Sequence, residues 1–194
     1  WLESYLKMRI ISGKYKGRSI SFIKTSTTRP LKDSVKENIF NIISHSNLLD
    51  IKIKGSNILD LYSGMGSFGL ECISREANKT TFVEKSDKIS KILIKNLNSL
   101  SKNCKATVVT DEIKNFLNKT QSEKFEIIFF DPPFADNSFI EELKLIKKKN
   151  IHKKKHIIII HREKKSEDNL NGILDTIMIK NYGRSKIIFG ILLN

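Results

Sequence analysis

Short apolar runs and amphipathic segments alternate along the chain from residue 56 onward. Continuous apolar runs are typical of strands that are buried on both faces, and they predict strands at 57–61, 80–83, 106–109, 126–130 and 157–161. Apolar residues spaced three or four positions apart predict helices between these strands, at 67–74, 87–100, 112–117 and 139–148. This alternation predicts an α/β fold with a mostly parallel sheet between two layers of helices.

The end of the chain breaks the alternation. Two further strands are predicted at about 176–179 and 186–193, with no helix between them, and Tyr182-Gly183 marks the turn. Strands joined by a tight turn run antiparallel. We therefore predict a seven-stranded sheet whose last strand is antiparallel.

The first fifty residues have a pattern of their own. Apolar alternation around two glycines predicts a β-hairpin with strands at 9–11 and 19–23, followed by a helix over about 30–46. We predict a hairpin-and-helix extension over residues 1–50 and an α/β domain over residues 51–194. Residues 1–7 precede the patterned segment and are given no function.

Charge separates the chain into three parts. The 194 residues carry 35 Lys and Arg against 21 Asp and Glu, a net charge of +14. Basic residues concentrate in 1–32 and in 144–165, on either side of a nearly neutral middle. Basic clusters attract phosphate backbones. Arg and Gly are interleaved in the first cluster, which favours nucleic acid there, whereas the Lys147–Lys155 run is expected to be a solvated αβ turn or a distant RNA contact.

Several classes of protein are excluded. No apolar run approaches the roughly 20 residues of a membrane span. Two cysteines, Cys72 and Cys104, are expected to be reduced in the core of a cytoplasmic protein, because no signal peptide is visible. His152 and His156 are four apart, but no further ligands complete a set, so no metal is expected.

A glycine-rich loop follows the first strand of the α/β part. Gly64, Gly66 and Gly69 fit G-x-G-x-x-G between a strand and a helix, a pattern that lets the backbone approach a ligand closely. Glu84 ends the next strand, where a carboxylate can accept hydrogen bonds from ribose hydroxyls. The loop and Glu84 fit either a dinucleotide or S-adenosylmethionine.

A second motif, Asp131-Pro132-Pro133-Phe134, follows the fourth core strand. Two prolines stiffen the chain and remove two N–H donors, which leaves a corner rich in acceptors. The Asp131 carboxylate and the Pro132 carbonyl can each accept a hydrogen bond from the exocyclic amine of a nucleobase, and Phe134 can stack on the base. These residues predict methyl transfer to an amino nitrogen of a base.

On these residues the chain resembles class I methyltransferases of the RsmD type, which methylate a guanine N2 amine in small-subunit (16S) ribosomal RNA. The resemblance covers about residues 8–194. It is carried by the segment 8–18, by Arg29-Pro30 with Asp33 and 35–42, by the two motifs above with Glu84, and by 182–185. The chain departs from the family at Leu31, Met65, Phe68 and Glu76, which stand where Thr, smaller residues or Gly are usual.

The resemblance implies a Rossmann-like fold, S-adenosylmethionine as cofactor, and ribosomal RNA in an assembling small subunit as the partner. Residues 1–50 are then expected to be an RNA-binding extension and residues 51–194 the catalytic domain. A monomer is the default expectation. It implies cofactor contacts at Asp60, Tyr62, Ser63, Gly64, Gly66, Glu84, Lys85 and one of Asp111 or Glu112. The target guanine is expected at Asp131, Pro132, Pro133 and Phe134. RNA phosphates are expected at Arg9, Lys14, Lys16, Arg18 and Arg29.

Three other functions are weighed against this one. A methyltransferase acting on adenine N6 in DNA or RNA would use the same Asp-Pro-Pro-Phe corner. A dehydrogenase would share the glycine loop, but no substrate domain follows. A non-catalytic RNA-binding factor in ribosome assembly would need only the basic clusters.

Overall fold

A computed structural model describes residues 5–23, 31–100, 103–119 and 122–193, with the backbone alone at 5–7. Nine strands and five helices are formed within these residues. The strands are β1 (Tyr5–Arg9), β2 (Ser19–Ile23), β3 (Asn57–Leu61), β4 (Lys79–Glu84), β5 (Ala106–Thr110), β6 (Phe125–Phe130), β7 (His152–Glu163), β8 (Leu174–Tyr182) and β9 (Ser185–Leu192). The helices are α1 (Asp33–His45), α2 (Ser67–Ser74), α3 (Asp87–Leu100), α4 (Ile113–Asn118) and α5 (Phe139–Lys148).

Seven strands form one sheet in the order β5-β4-β3-β6-β7-β9-β8. The first five of these are parallel, and β9 runs antiparallel to both of its neighbours. The mostly parallel seven-stranded sheet with an antiparallel last strand is therefore confirmed. β3 and β6 lie side by side at its centre, so the loops that follow them emerge together at one edge of the sheet.

Alternate side chains of the central strands pack into two hydrophobic layers, one on each face of the sheet. On one face, Phe129 of β6 stacks on Phe68 of α2 with 4.0 Å between ring centroids, and Phe68 stacks on Phe40 of α1 at 5.2 Å. On the other face, Ile128 and Phe130 pack with α4 and α5. Continuous apolar strands are needed because helices cover both faces. Cys72 lies fully buried in the first layer, as the sequence predicted.

The N-terminal hairpin is fastened to α2 and α3. The Asn96 side chain of α3 accepts a hydrogen bond from Ser21 N and donates to the carbonyls of Ser21 and Met65. A Cβ at Gly13 would lie 2.1 Å from the Ser74 carbonyl oxygen, so a side chain there would force the two apart. α1 packs into the core beside the sheet. The division at residue 50 stays a prediction.

Several boundaries differ from the sequence prediction, among them the starts of α1 at Asp33 and of β8 at Leu174, and two of the differences change the interpretation. β1 begins at Tyr5, so part of the segment that was given no function pairs with β2, Tyr5 opposite Ile23. β7 begins at His152, so Lys153–Lys155 lie in a strand and not in a turn. Carboxylates on neighbouring segments pair with two of these lysines, Glu126 with Lys153 and Asp50 with Lys155.

Candidate active site

A cleft of about 1230 Å³ opens where β3, β4, β5 and β6 end. Ligands of open parallel sheets bind at this edge, outside the carboxyl ends of the strands. The loops after these four strands bring twelve of the predicted site residues to the cleft: Asp60, Tyr62, Ser63, Gly64, Glu84, Lys85, Asp111, Glu112, Asp131, Pro132, Pro133 and Phe134. The hairpin and the segment before α1 supply apolar lining through Met8, Ile20, Phe22 and Leu31.

The loop between β3 and α2 turns its backbone toward the cleft at Gly64. This residue has a φ of +54°, and a Cβ added there would meet nothing within 4 Å. The Glu84 carboxylate accepts hydrogen bonds from Gly64 N at 3.0 Å and from Ser86 N at 2.8 Å. Glu84 therefore fixes the loop that carries Gly64 while also lining the cleft.

The other two glycines of the motif serve packing. Gly66, predicted to contact the cofactor, is not among the residues that line the cleft. It has a φ of +92°, and its Cβ would lie 2.4 Å from a methyl group of Leu93. A Cβ at Gly69 would lie 2.2 Å from the Phe82 ring. Both glycines let the start of α2 lie close to its neighbours.

Asp60 lies under the loop with 1% of its surface exposed and accepts a hydrogen bond from Gly69 N at 2.9 Å. Burial raises the pKa of Asp60 well above its ordinary value, and the nearby Asp131 and Glu84 charges raise it further. Three carboxyl groups, those of Asp60, Glu84 and Asp131, therefore lie close together in the lining of the cleft.

Two neighbouring residues of β7 hold the Asp-Pro-Pro-Phe corner. His161 Nδ1 lies 2.9 Å from Asp131 Oδ1, and the His161 ring meets the Phe134 ring edge-on at 5.9 Å between centroids. Arg162, with 1% of its side chain exposed, donates to the carbonyls of Pro133 and Asp136. Sequence reasoning missed both residues, although two ionisable residues directly after the apolar run 157–160 were a usable signal.

Arg162 is itself held from two sides. Its guanidinium pairs with the buried Asp168 carboxylate at 2.9 Å. Its Nη2 atom also donates a hydrogen bond to Asn137 Oδ1 at 2.9 Å. The same guanidinium lies over the Phe139 ring at 4.6 Å. Through these contacts, Arg162 holds the loop 133–137 against β7.

Tyr62 and Glu142 join the loop after β3 to α5. Tyr62 is directly after β3, with a φ of +58°, and its hydroxyl donates to Glu142 Oε2 of α5 at 2.7 Å. Burial raises the pKa of Glu142 to about 7. Burial also raises the pKa of Tyr62. Glu142 lines the cleft and was not predicted from the sequence.

Asp111 and Glu112, the two alternatives for the adenine end of a cofactor, both line the cleft. Hydrogen bonds from Lys119 at 2.7 Å and from Asn115 hold the pKa of Asp111 below its ordinary value. Glu112 is exposed at the start of α4. The Asp111 carboxylate is thus engaged by its own segment.

Four of the five predicted RNA contacts are described by the structure, and these four lie outside the cleft. Arg9, Lys14, Lys16 and Arg18 are exposed on or near the hairpin. Arg18 also donates to the carbonyls of Ser99 and Leu100 at the end of α3. Arg29 lies outside the described residues.

The strand order and the cleft after the central strands define a class I methyltransferase fold. The solved structure of the Escherichia coli protein yhhF matches with a TM-score of 0.78 and 28% identity, over 95% of this chain and 97% of that one. A Haemophilus influenzae structure matches with a TM-score of 0.77 and 29% identity, over 97% and 99% of the two chains.

Residues 8–191 match the model of the family described as conserved hypothetical protein 95. The protein named ribosomal RNA small subunit methyltransferase D of Buchnera aphidicola subsp. Acyrthosiphon pisum is 35% identical over 82% of this chain and 80% of its own length. The protein of the same name from Haemophilus influenzae is 33% identical over 81% and 80%. The chain belongs to this family, the RsmD family.

Among the described residues, the helices are all too short or too polar to cross a bilayer.

Proposed function

We propose that the chain is an S-adenosylmethionine-dependent methyltransferase that methylates the exocyclic N2 amine of a guanine in small-subunit ribosomal RNA. One observation carries the proposal: a single cleft is lined both by the glycine loop with Glu84 and by the Asp131–Phe134 corner. The first is suited to a nucleoside cofactor and the second to a planar base with an amine. The relatives named ribosomal RNA small subunit methyltransferase D support the choice of substrate.

The residues of the glycine loop fit this cofactor. The open backbone at Gly64 allows close approach, and Glu84 stands where a ribose is expected. Each Glu84 oxygen accepts one backbone hydrogen bond, and a carboxylate has about four acceptor positions, so capacity remains for hydroxyl groups. Either Asp111 or Glu112 would lie toward the adenine. When bound, the cofactor supplies a methyl group activated by a sulfonium.

The Asp131 corner prepares the base. An aromatic amine is a weak nucleophile because its lone pair is delocalised into the ring. Asp131 and the Pro132 carbonyl would each accept a hydrogen bond from the amine, which favours a pyramidal nitrogen and directs its lone pair outward. Phe134 would stack on the base and fix its plane. Catalysis then comes chiefly from holding two reactants in line.

The basic hairpin suits the RNA that carries the base. Its exposed cations lie on the same unit that contributes Met8, Ile20 and Phe22 to the cleft. Phosphate contacts there would orient the RNA without reading its sequence. We further propose that the substrate is an assembling small subunit and that the enzyme acts as a monomer.

Transfer of labelled methyl groups to small-subunit particles that lack this modification tests the proposal, with free ribosomal RNA and duplex DNA in parallel. Digestion to nucleosides should place the label in N2-methylguanosine from the particle. Label in a methyladenine would move the function to an adenine N6 enzyme. Absence of label despite cofactor binding would favour a non-catalytic RNA-binding factor.

Asp131→Ala provides the matched control. It should retain cofactor binding and lower turnover by about 10²–10³-fold, the effect of removing one group that stabilises a transition state. Turnover equal to that of the unaltered chain would contradict the assigned role of the corner.

A further inference from the structure

The central strands place His161 beside Asp131. β6 and β7 are parallel neighbours, and Phe130 is opposite Ile160 at the end of their pairing. The residue that follows Phe130 is Asp131, directly after β6, and the residue that follows Ile160 is His161 of β7. The contact at 2.9 Å between His161 Nδ1 and Asp131 Oδ1 follows from this register.

The direction of this hydrogen bond is set by chemistry. An ionised carboxylate can only accept, so Nδ1 of His161 carries the hydrogen and donates it to Asp131. A carboxylate has about four acceptor positions, so a bond from His161 leaves Asp131 able to accept from an amine. His161 is 3% exposed, and a buried ring cannot readily turn away from its partner.

The same imidazole also sets the aromatic part of the corner. Its ring meets Phe134 at an angle of 76°, the edge-to-face arrangement that aromatic rings favour. One side chain thus contacts both the group that would orient the amine and the group that would stack on the base.

Resting on the proposed function, we propose that His161 is the positioning residue of the methyl-transfer site: it fixes the Asp131 carboxylate and the Phe134 ring in the orientation that receives the target base. Arg162, the next residue of β7, holds the carbonyls of the same loop. The end of β7 therefore fixes the corner at its side chains through His161 and at its backbone through Arg162.

Two substitutions of His161 separate positioning from folding. His161→Leu removes the donor, and His161→Asn keeps an N–H near the place of Nδ1. His156→Leu is the control: His156 is a buried histidine of the same strand that accepts a hydrogen bond from Leu192 N at 2.9 Å, and it does not line the cleft. Thermal unfolding and the Kd for S-adenosylmethionine are measured for all three.

We expect His161→Leu to lower kcat by about 10–100-fold, the usual effect of a misplaced reactant, with the cofactor Kd within about twofold. His161→Asn should recover most of the turnover, and His156→Leu should turn over normally. Equal turnover in His161→Leu and His156→Leu would overturn the proposal, as would a His161→Asn variant as impaired as His161→Leu.

A measurement without substrate keeps this test separate from the proposed function. The imidazole ¹⁵N signals of His161 should shift in Asp131→Asn, whereas those of His156 should not. Unchanged His161 signals would overturn the positioning role. Absence of methyl transfer by the unaltered chain, with the His161 signals responding, would refute the methyltransferase function and leave the coupling of His161 to Asp131 supported.

Discussion

The glycine loop after β3 and the Asp-Pro-Pro-Phe corner after β6 lie in one cleft but are held in different ways. The loop is fixed by hydrogen bonds that its backbone amides donate, Gly69 N to Asp60 and Gly64 N to Glu84, and by glycines that permit close packing. The two carboxylates are at most 20 residues from the amides that they bind, although Asn96 of α3 also donates to the Met65 carbonyl from 31 residues away.

The corner depends on side chains that lie far along the chain. His161 is 30 residues beyond Asp131, and Arg162 is 29 beyond Pro133. The charge of Arg162 is in turn neutralised by the buried Asp168 carboxylate. The difference teaches that a cofactor loop can be recognised from a local motif, whereas the geometry of the base site depends on which strand lies beside it.

The largest effect that separates the two regions is expected for Arg162→Met. The change leaves the Asp168 carboxylate buried without its main partner and frees the loop 133–137, so unfolding should become easier by about 3–5 kcal/mol. Turnover should fall with it, while the remaining folded protein binds S-adenosylmethionine normally. Denaturant unfolding and cofactor titration at low temperature measure the two effects.

The double variant Arg162→Met with Asp168→Leu is the control for this charge. It removes both partners and should recover part of the stability without restoring turnover, because the loop carbonyls still lack their donor. A loss of cofactor affinity equal to the loss of turnover would show that the two regions are not held independently.

Local pattern explains most of what could be predicted. The bounds of β3, α2, α3 and α5 agree with the predicted ones, because apolar spacing and a flanking turn residue coincide there. Glu76, noted as a departure where the family has Gly, indeed has a φ of +66°. A residue other than Gly pays about 1–2 kcal/mol for that conformation, and Lys54 holds its carboxylate at 2.9 Å.

Contacts between segments that are distant in sequence explain what could not be predicted. The lysines at the start of β7 made this strand look like a solvated turn in the sequence. Their pairing with acidic residues is not visible there, because Glu126 and Asp50, the partners of Lys153 and Lys155, are distant in sequence. His161 was given no role, because its contact with Asp131 depends on the β6–β7 register, which the local pattern does not show. A prediction of strand order would have brought His161 and Arg162 to the corner.

A second prediction distinguishes packing glycines from the glycine that faces the cleft. Gly69→Ala places a Cβ 2.2 Å from the Phe82 ring and 2.9 Å from Asp60 Oδ2, so we expect a loss of about 1–3 kcal/mol in stability and weaker cofactor binding. Gly64→Ala meets no atom within 4 Å and should cost about 1 kcal/mol for its positive φ.

Cofactor affinity sharpens this contrast. Gly64→Ala should weaken S-adenosylmethionine binding by more than its small loss of stability suggests, because the new methyl group lies at the cleft. Calorimetric titration at a temperature where both variants are folded compares them. A cofactor affinity of Gly64→Ala equal to that of the unaltered chain would mean that the cofactor lies elsewhere.

The third prediction concerns Glu142, whose carboxyl group accepts a hydrogen bond from Tyr62 in the loop after β3. Its pKa of about 7 lies above the ordinary value of 4.5, so the folded state keeps the proton longer than the unfolded state does. Stability from this group is complete below about pH 4.5 and is lost as the pH rises through 7. Glu142→Gln should therefore be more stable than the unaltered chain by on the order of 1–3 kcal/mol at pH 8, with no difference near pH 4.5.

Unfolding free energies of the two proteins, measured from pH 4.5 to 8.5, provide the test. The difference curve isolates Glu142 from other titrating groups. A flat curve, or one in which Glu142→Gln loses stability as the pH rises, would show that the carboxyl is ionised in the folded protein at neutral pH.

The smallest effect is expected for Lys16→Ala on the hairpin, outside both regions. Lys16 is exposed, so stability should change by less than about 0.5 kcal/mol. If the hairpin contacts phosphates, RNA binding at low salt should weaken a few-fold, and the slope of log K against log salt should fall by about 0.7–0.9. Lys180→Ala, an exposed lysine of β8, should leave the slope unchanged. Equal slopes for the two variants would remove the hairpin from the RNA interface, and the cations that orient the substrate would then have to lie around the cleft itself.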